Sequence, residues 1–193
     1  MKTNYQVRYA AHPRDAKGYD TARLSEDFLI AEVFAADEVN VVYSMYDRMV
    51  VGGAMPVDQI LALEPFDELK AEHFLDRREL GVINIGGPGV VTVDGKEYHM
   101  LFKEALYVGC GKKEVTFRSV DPAYPAKFYI SSCPAHKEYP TVKIDITKAK
   151  KVPCGETKDA NKRVINQYIH PEVMESCQLA MGLTMLEEGS VWN

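Results

Sequence analysis

The chain has 193 residues, enough for one large domain or one and a half small ones around a real core. Hydrophobic residues at 46% and charged residues at 26% fit an ordinary globular protein and exclude a disordered one. The formal charge of −5 argues against nucleic acid, because phosphate binding needs a basic surface, whereas one or two local arginines can still hold a small anion.

The N-terminus, MKTNYQVRYAAHPRD, lacks the apolar stretch of a secretory signal. No apolar run approaches the roughly 18 residues that a membrane helix needs. The expectation is a cytoplasmic protein without membrane contact. Cys110, Cys133, Cys154 and Cys177 are widely spread and are expected to be reduced thiols.

Residues 1–24 read as a polar arm lying on something else. Within it, Asp20 or Thr21 can cap a short helix in which Leu24 and Phe28 share one face. The segments 28–34 (FLIAEVF), 39–46 (VNVVYSMY) and 48–56 (RMVVGGAMP) are rich in β-branched and aromatic residues and predict strands. Residues 64–75 predict a helical turn or a long loop. The clearest local signal is Asp94-Gly95 between VVTV and KEYHM. Both central residues of a type I′ hairpin turn need positive φ, and this pair tolerates it. Strands then recur about every ten residues at 105–109, 114–119 and 126–131. Many short strands at that rhythm, without crossover helices, predict a β-sandwich or small barrel. From 136 to 162 prolines and lysines mark a linker or crossing strand. Residues 163–169 and 177–186 read as strands again, and 190–193 as the start of another. A domain seldom ends on an unpaired apolar strand edge, so further protein is expected after Asn193.

Few residues offer chemistry. His12, His73, His99, His136 and His170 form no H-x-H or H-E-x-x-H pair, and Cys133-x-x-His136 has no second unit at a finger-like spacing. Gly86-Gly87-Pro88-Gly89 precedes a strand rather than a helix, so it reads as a tight turn and not a phosphate cradle. Cys110, between two glycines, reads as a small filler at a strand end. Arg77 and Arg78 open a strand, where they could grip a ligand carboxylate or pair with Glu79 or another acid. Asn84 is either a ligand-reaching interior group or a satisfied core amide, the second being commoner.

Several segments, in order from about residue 20 to the end, resemble one known family. They include SEDFLIAEVF (25–34), YDRMVVGGAMP (46–56), FLDRRELGVINIGGPGVVTVDGKEY (74–98), PAKFYISSCPAHKEYPT (125–141), NKRVINQYI (161–169) and CQLAMGLTMLEEGSVWN (177–193). The family is that of the 5-keto-4-deoxyuronate isomerases of pectin breakdown. The resemblance implies a mainly all-β chain of the cupin or jelly-roll type with a few short helices, the first barrel of a bicupin plus the start of the second. It divides the chain into an arm (1–24), a first barrel without metal ligands (25–141), a linker or crossing segment (142–170) and the opening strands of a second barrel (171–193).

The resemblance also implies a homohexamer acting on a small acidic sugar, converted to 3-deoxy-D-glycero-2,5-hexodiulosonate by moving its carbonyl one carbon along. One zinc ion per full-length subunit would serve as Lewis acid, held by residues after Asn193 and by none in this chain. The 193 residues alone are then expected to be inactive, with the catalytic acid and base unassigned. Arg163, Asn166, Gln178, Trp192 and Asn193 are the candidates for lining or buttressing the substrate site. The alternatives are a non-catalytic cupin module for oligomerisation or sugar sensing, and a 5-deoxy-glucuronate type of isomerase.

Overall fold

The computed structural model describes residues 3–191. Its frame is a seven-stranded sheet facing a four-stranded one. In chain order the strands of the larger sheet are β1 (Asn4–Arg8), β2 (Glu38–Ser44), β3 (Val50–Met55), β5 (Arg78–Asn84), β8 (Ala105–Val108), β10 (Phe128–Pro134) and β11 (Val142–Ile144); their spatial order is β1-β2-β3-β10-β5-β8-β11. The smaller sheet runs β4-β9-β6-β7, from β4 (Leu61–Ala62), β6 (Gly89–Val93), β7 (Lys96–Met100) and β9 (Val115–Ser119). All pairings are antiparallel except β1 with β2.

Alternation along the strands builds the core between the sheets. Val39, Val41 and Tyr43 of β2, Leu80 and Val82 of β5, and Phe128 and Ile130 of β10 point inward. They meet Val91, Val93, Met100, Val115 and Phe117 of the smaller sheet. The β6–β7 hairpin turns at Asp94 (φ 46°) and Gly95 (φ 80°), as the Asp-Gly pair predicts. Asp94 also accepts the amides of Lys113 and Glu114, tying the hairpin to β9.

A third layer covers the outer face of the larger sheet. It consists of β12 (Lys150–Cys154), β13 (Arg163–Ile169) and β14 (Met181–Leu186), paired antiparallel in that order. Ile83, Ala105, Tyr107, Cys133 and Ile144 pack here against Tyr168, Ile169, Leu179 and Met181. β5 is therefore covered on both faces, and all seven of its residues are buried. Gly81 permits the close approach: a Cβ there would lie 2.5 Å from Met181 Sδ and 2.8 Å from Ile169 Cδ1. The region expected as a linker or crossing strand thus supplies β11 to the edge of the larger sheet and β12 and β13 to the third layer.

Two expectations need correction, and one is met. Residues 28–34 form no strand, although Val33 and Phe34 lean over Gly53, where a Cβ would meet them at 2.5–2.9 Å. The β2 edge that such a strand would need is taken by β1, from the polar arm. Ser190 and Val191 are not in a strand; Val191 donates its amide to Ala160 O, and the remainder of that segment lies outside the described residues. The helix foreseen near residue 21 forms as α2 (Thr21–Phe28), after a one-turn α1 (Pro13–Ala16). Asp20 caps α2 through Arg23 N at 2.9 Å, but Leu24 and Phe28 remain exposed.

Two glycines should respond differently to alanine. At Gly52 the new Cβ would fall 2.0 Å from Asn40 O, a backbone atom of the paired strand that cannot turn aside. Gly52→Ala is expected to cost about 3 kcal/mol, the upper end of overpacking penalties, against about 1 kcal/mol for Gly81→Ala, which meets movable side-chain ends. Denaturant unfolding of both variants measures the two costs, and equal losses would contradict this packing.

Candidate functional site

The junction between the barrel and the third layer is organised by one carboxylate. Glu79 faces outward from β5, beside Gly81 and Ile83, and is 0% exposed. Its Oε2 accepts the Tyr107 hydroxyl at 2.7 Å and the Cys177 amide at 2.8 Å. Its Oε1 accepts the amides of Gln178 (2.8 Å) and Leu179 (2.7 Å), with the Cys133 thiol at 3.4 Å. Three consecutive amides just before β14 thus converge on a side chain about 100 residues earlier in sequence.

Burial alone would push the Glu79 carboxyl up. The Tyr107 hydroxyl and the three amides outweigh it and hold the group below its ordinary value of 4.5. Around it the other groups move the opposite way. Burial first, and then the Glu79 bond and charge, push the Tyr107 hydroxyl up. Burial and the Glu79 charge raise the Cys133 thiol to about 12. Near neutral pH Glu79 is a fixed anion with neutral donors. It anchors a segment; it is not set up to pass a proton back and forth.

The residues singled out in sequence do not form one cluster. Arg163 and Asn166 lie on β13, three residues apart and therefore on opposite faces. Arg163 Nη1 donates to Asn161 O at 3.0 Å. Asn166 is buried and donates to Leu183 O on β14 at 3.1 Å. Gln178 sits in the Glu79-bound segment and reaches Pro134 O on β10 at 2.5 Å. Each of the three spends donors on backbone carbonyls. Trp192 and Asn193 lie outside the described residues.

The other candidates resolve as structure. Asn84, 0% exposed, donates to Gly87 O (2.8 Å) and Met100 O (3.0 Å) and accepts the Gly86 amide (3.1 Å), a satisfied core amide that fixes the glycine turn. Gly87 lies against the Tyr124 carbonyl, where a Cβ would be 1.9 Å away, so the motif brings two loops together. Arg77 binds the carbonyls of Leu69 and Lys70, and Arg78 those of Arg48 and Ser132; neither pairs with Glu79. Cys110 is buried at the end of β8, and its thiol is pushed up by burial and by Cys177. All four cysteines are free.

A metal does not fit the described residues, among which no three of His, Cys, Asp or Glu come close enough to hold one. His73 bonds Asp76 at 3.2 Å, His12 caps α1, and His170 accepts the Glu172 amide. Two open grooves flank the N-terminal arm, one between residues 29–32 and the β1–β2 edge, the other under α2; neither is lined by Arg163, Asn166 or Gln178. No described helix is long and apolar enough to cross a membrane.

The Glu79 anchor predicts a pH signature. Its depressed pKa contributes stability that is fully present above about 4.5 and is lost as pH falls through the folded-state value. Glu79→Gln removes the charge and turns an amide NH2 toward backbone donors, at an expected cost of about 2–4 kcal/mol near neutral pH. The stability gap between the two proteins, measured by urea unfolding, should stay constant from pH 7 to 5 and narrow below about 4.5. A gap that widened on acidification would contradict the assignment.

Comparison with known proteins places the fold and the chain together. A solved IolB-like protein from Salmonella typhimurium LT2 superposes with a TM-score of 0.52 at 12% identity, covering 66% of this chain and 47% of its own, a likeness of fold in the cupin class. A 4-deoxy-L-threo-5-hexosulose-uronate ketol-isomerase of Bacteroides fragilis is 55% identical over 193 residues, all of this chain and 69% of that protein. A relative in Bacteroides thetaiotaomicron, named 4-deoxy-L-threo-5-hexosulose-uronate ketol-isomerase 1, is 54% identical over the same span, and one in Formosa agariphila 49%. The model of the KduI/IolB family matches residues 28–193, from the end of α2 through the Glu79 junction and β14. The chain belongs to the KduI/IolB family.

Proposed function

We propose that this chain is the barrel-bearing part of a uronate ketol-isomerase acting on 4-deoxy-L-threo-5-hexosulose-uronate. The observation that carries the reading is identity of 55% over all 193 residues to a relative of that name. The reaction moves a carbonyl to the adjacent carbon of an acidic sugar, giving 3-deoxy-D-glycero-2,5-hexodiulosonate, with a hydrogen passing between the two carbons as a proton or as a hydride.

In this reading the first barrel is a scaffold. Glu79 holds residues 177–179, and through them β14, at a fixed position on the barrel. Asn166 and Gln178 buttress β14 and its approach through the carbonyls of Leu183 and Pro134, and Arg163 steadies the start of β13. One zinc ion serves as Lewis acid in this reading, with its ligands in the part of the relatives' length that this chain does not span. A homohexamer in the cytoplasm, with all four thiols reduced, completes the proposal.

Zinc content and turnover test it together. The 193-residue chain is expected to hold no stoichiometric zinc and to form no product, whereas the chain extended to the full length of its relatives does both. One zinc per 193-residue chain would contradict the metal placement. An extended protein that leaves the 4-deoxy uronate unchanged, or prefers a 5-deoxy-glucuronate, would contradict the substrate.

A further inference from the structure

One end of the first barrel carries positive charge that the fold does not neutralise. Arg78 points inward from β5, in phase with Leu80 and Val82, and is 6% exposed. Its Nε donates to Ser132 Oγ at 3.1 Å, and its Nη2 to the carbonyls of Arg48 (2.7 Å) and Ser132 (2.8 Å). The guanidinium carbon stands 5.8 Å from the Tyr43 ring centroid. Every one of these partners is neutral. They use three of the five N–H groups, and Nη1 makes no hydrogen bond among the described residues.

Buried charges are ordinarily paired, because desolvation without a counter-charge is costly. Here the described residues offer no carboxylate within ion-pair distance of Arg78. Glu79 projects from the other face of β5, and Asp47, next to Arg48 in the exposed β2–β3 turn, forms no ion pair among the described residues. The charged neighbour is a second cation. Burial, chiefly, and the like charge of Arg48 lower the Arg78 guanidinium to about 10.

We propose that this barrel end binds a small oxyanion, a carboxylate or a phosphate, between the Nη1 edge of Arg78 and the exposed side chain of Arg48. The planar guanidinium matches two oxygens of such an anion, and the bonds to Ser132 and Arg48 O hold it in place before the anion arrives. The site lies in the first barrel and does not rest on the isomerase reading, so its failure would leave that reading intact.

Titration at low ionic strength with inorganic phosphate and, separately, galacturonate tests it by calorimetry and by melting temperature. Saturable binding with a rise in melting temperature is expected from at least one probe, because a ligand of the folded state stabilises it. A response to phosphate alone assigns the phosphate class, and one to galacturonate alone the carboxylate class. Arg48 has φ 52°, a backbone that asparagine accepts, so Arg48→Asn should fold while losing about fivefold in affinity, the scale of one exposed charge contact. Arg78→Lys should weaken binding further by replacing the planar fork. No saturable response to either probe overturns the proposal. So does a response that sodium chloride reproduces at equal ionic strength, or one that Arg48→Asn leaves unchanged.

Discussion

A carboxylate withdrawn from water has to find donors, and in this chain Glu79 finds them in a segment about 100 residues downstream. That requirement links the two parts of the molecule. The barrel closes around its own core of Leu80, Val82, Phe117 and Phe128 without help from β14. The third layer has a smaller core, and part of that core, Ile83 and Tyr107, belongs to the barrel. Leaving Glu79 unpaired would place a bare charge between the layers. Pairing it fixes the amides of Cys177, Gln178 and Leu179, and the chain then enters β14 from one defined point.

Tyr107 and Gly81 complete the same device. Tyr107 comes from β8, the neighbour of β5, and its hydroxyl shares Oε2 of the carboxylate with the Cys177 amide. Gly81, two residues along the same face as Glu79, leaves room for the ends of Met181, Ile169 and Leu179. Those ends can yield to an alanine methyl, but a bulkier side chain there would hold the third layer away and stretch the amide bonds to Glu79. Hydrogen bonding and close packing therefore demand the same separation between layers, a consistency that favours a single arrangement over sliding alternatives.

Much of the barrel was legible because its signals are local. The Asp94-Gly95 turn, the ten-residue rhythm of strands and the run around Asn84 each depend on neighbours within a few positions. The third layer was less so. Glu79 reads in sequence as a partner for Arg77 or Arg78, yet residues adjacent in a strand face opposite sides, and the arginines instead bind carbonyls. A signal was present: an acidic residue and a glycine alternating with apolar residues on one face of E-L-G-V-I-N mark a strand covered on both sides. The segment 28–34 shows the opposite failure. Its composition favours a strand, but an edge must be free to receive it, and β1, paired in parallel with β2 from far away in sequence, holds that edge. Arg163, Asn166 and Gln178 read in sequence as polar groups near a presumed site; the acceptors of Asn166 and Gln178, Leu183 O and Pro134 O, come from other strands and are invisible in a linear pattern, whereas Arg163 donates to Asn161 O two residues away.

Hydrogen exchange read residue by residue tests the central claim most directly. If Glu79 pins the approach to β14, the amides of Cys177, Gln178 and Leu179 exchange slowly in the native protein and speed up selectively in Glu79→Gln, while those of the β6–β7 hairpin keep their protection. Equal protection of 177–179 in both proteins, or fast exchange there in the native one, would contradict it.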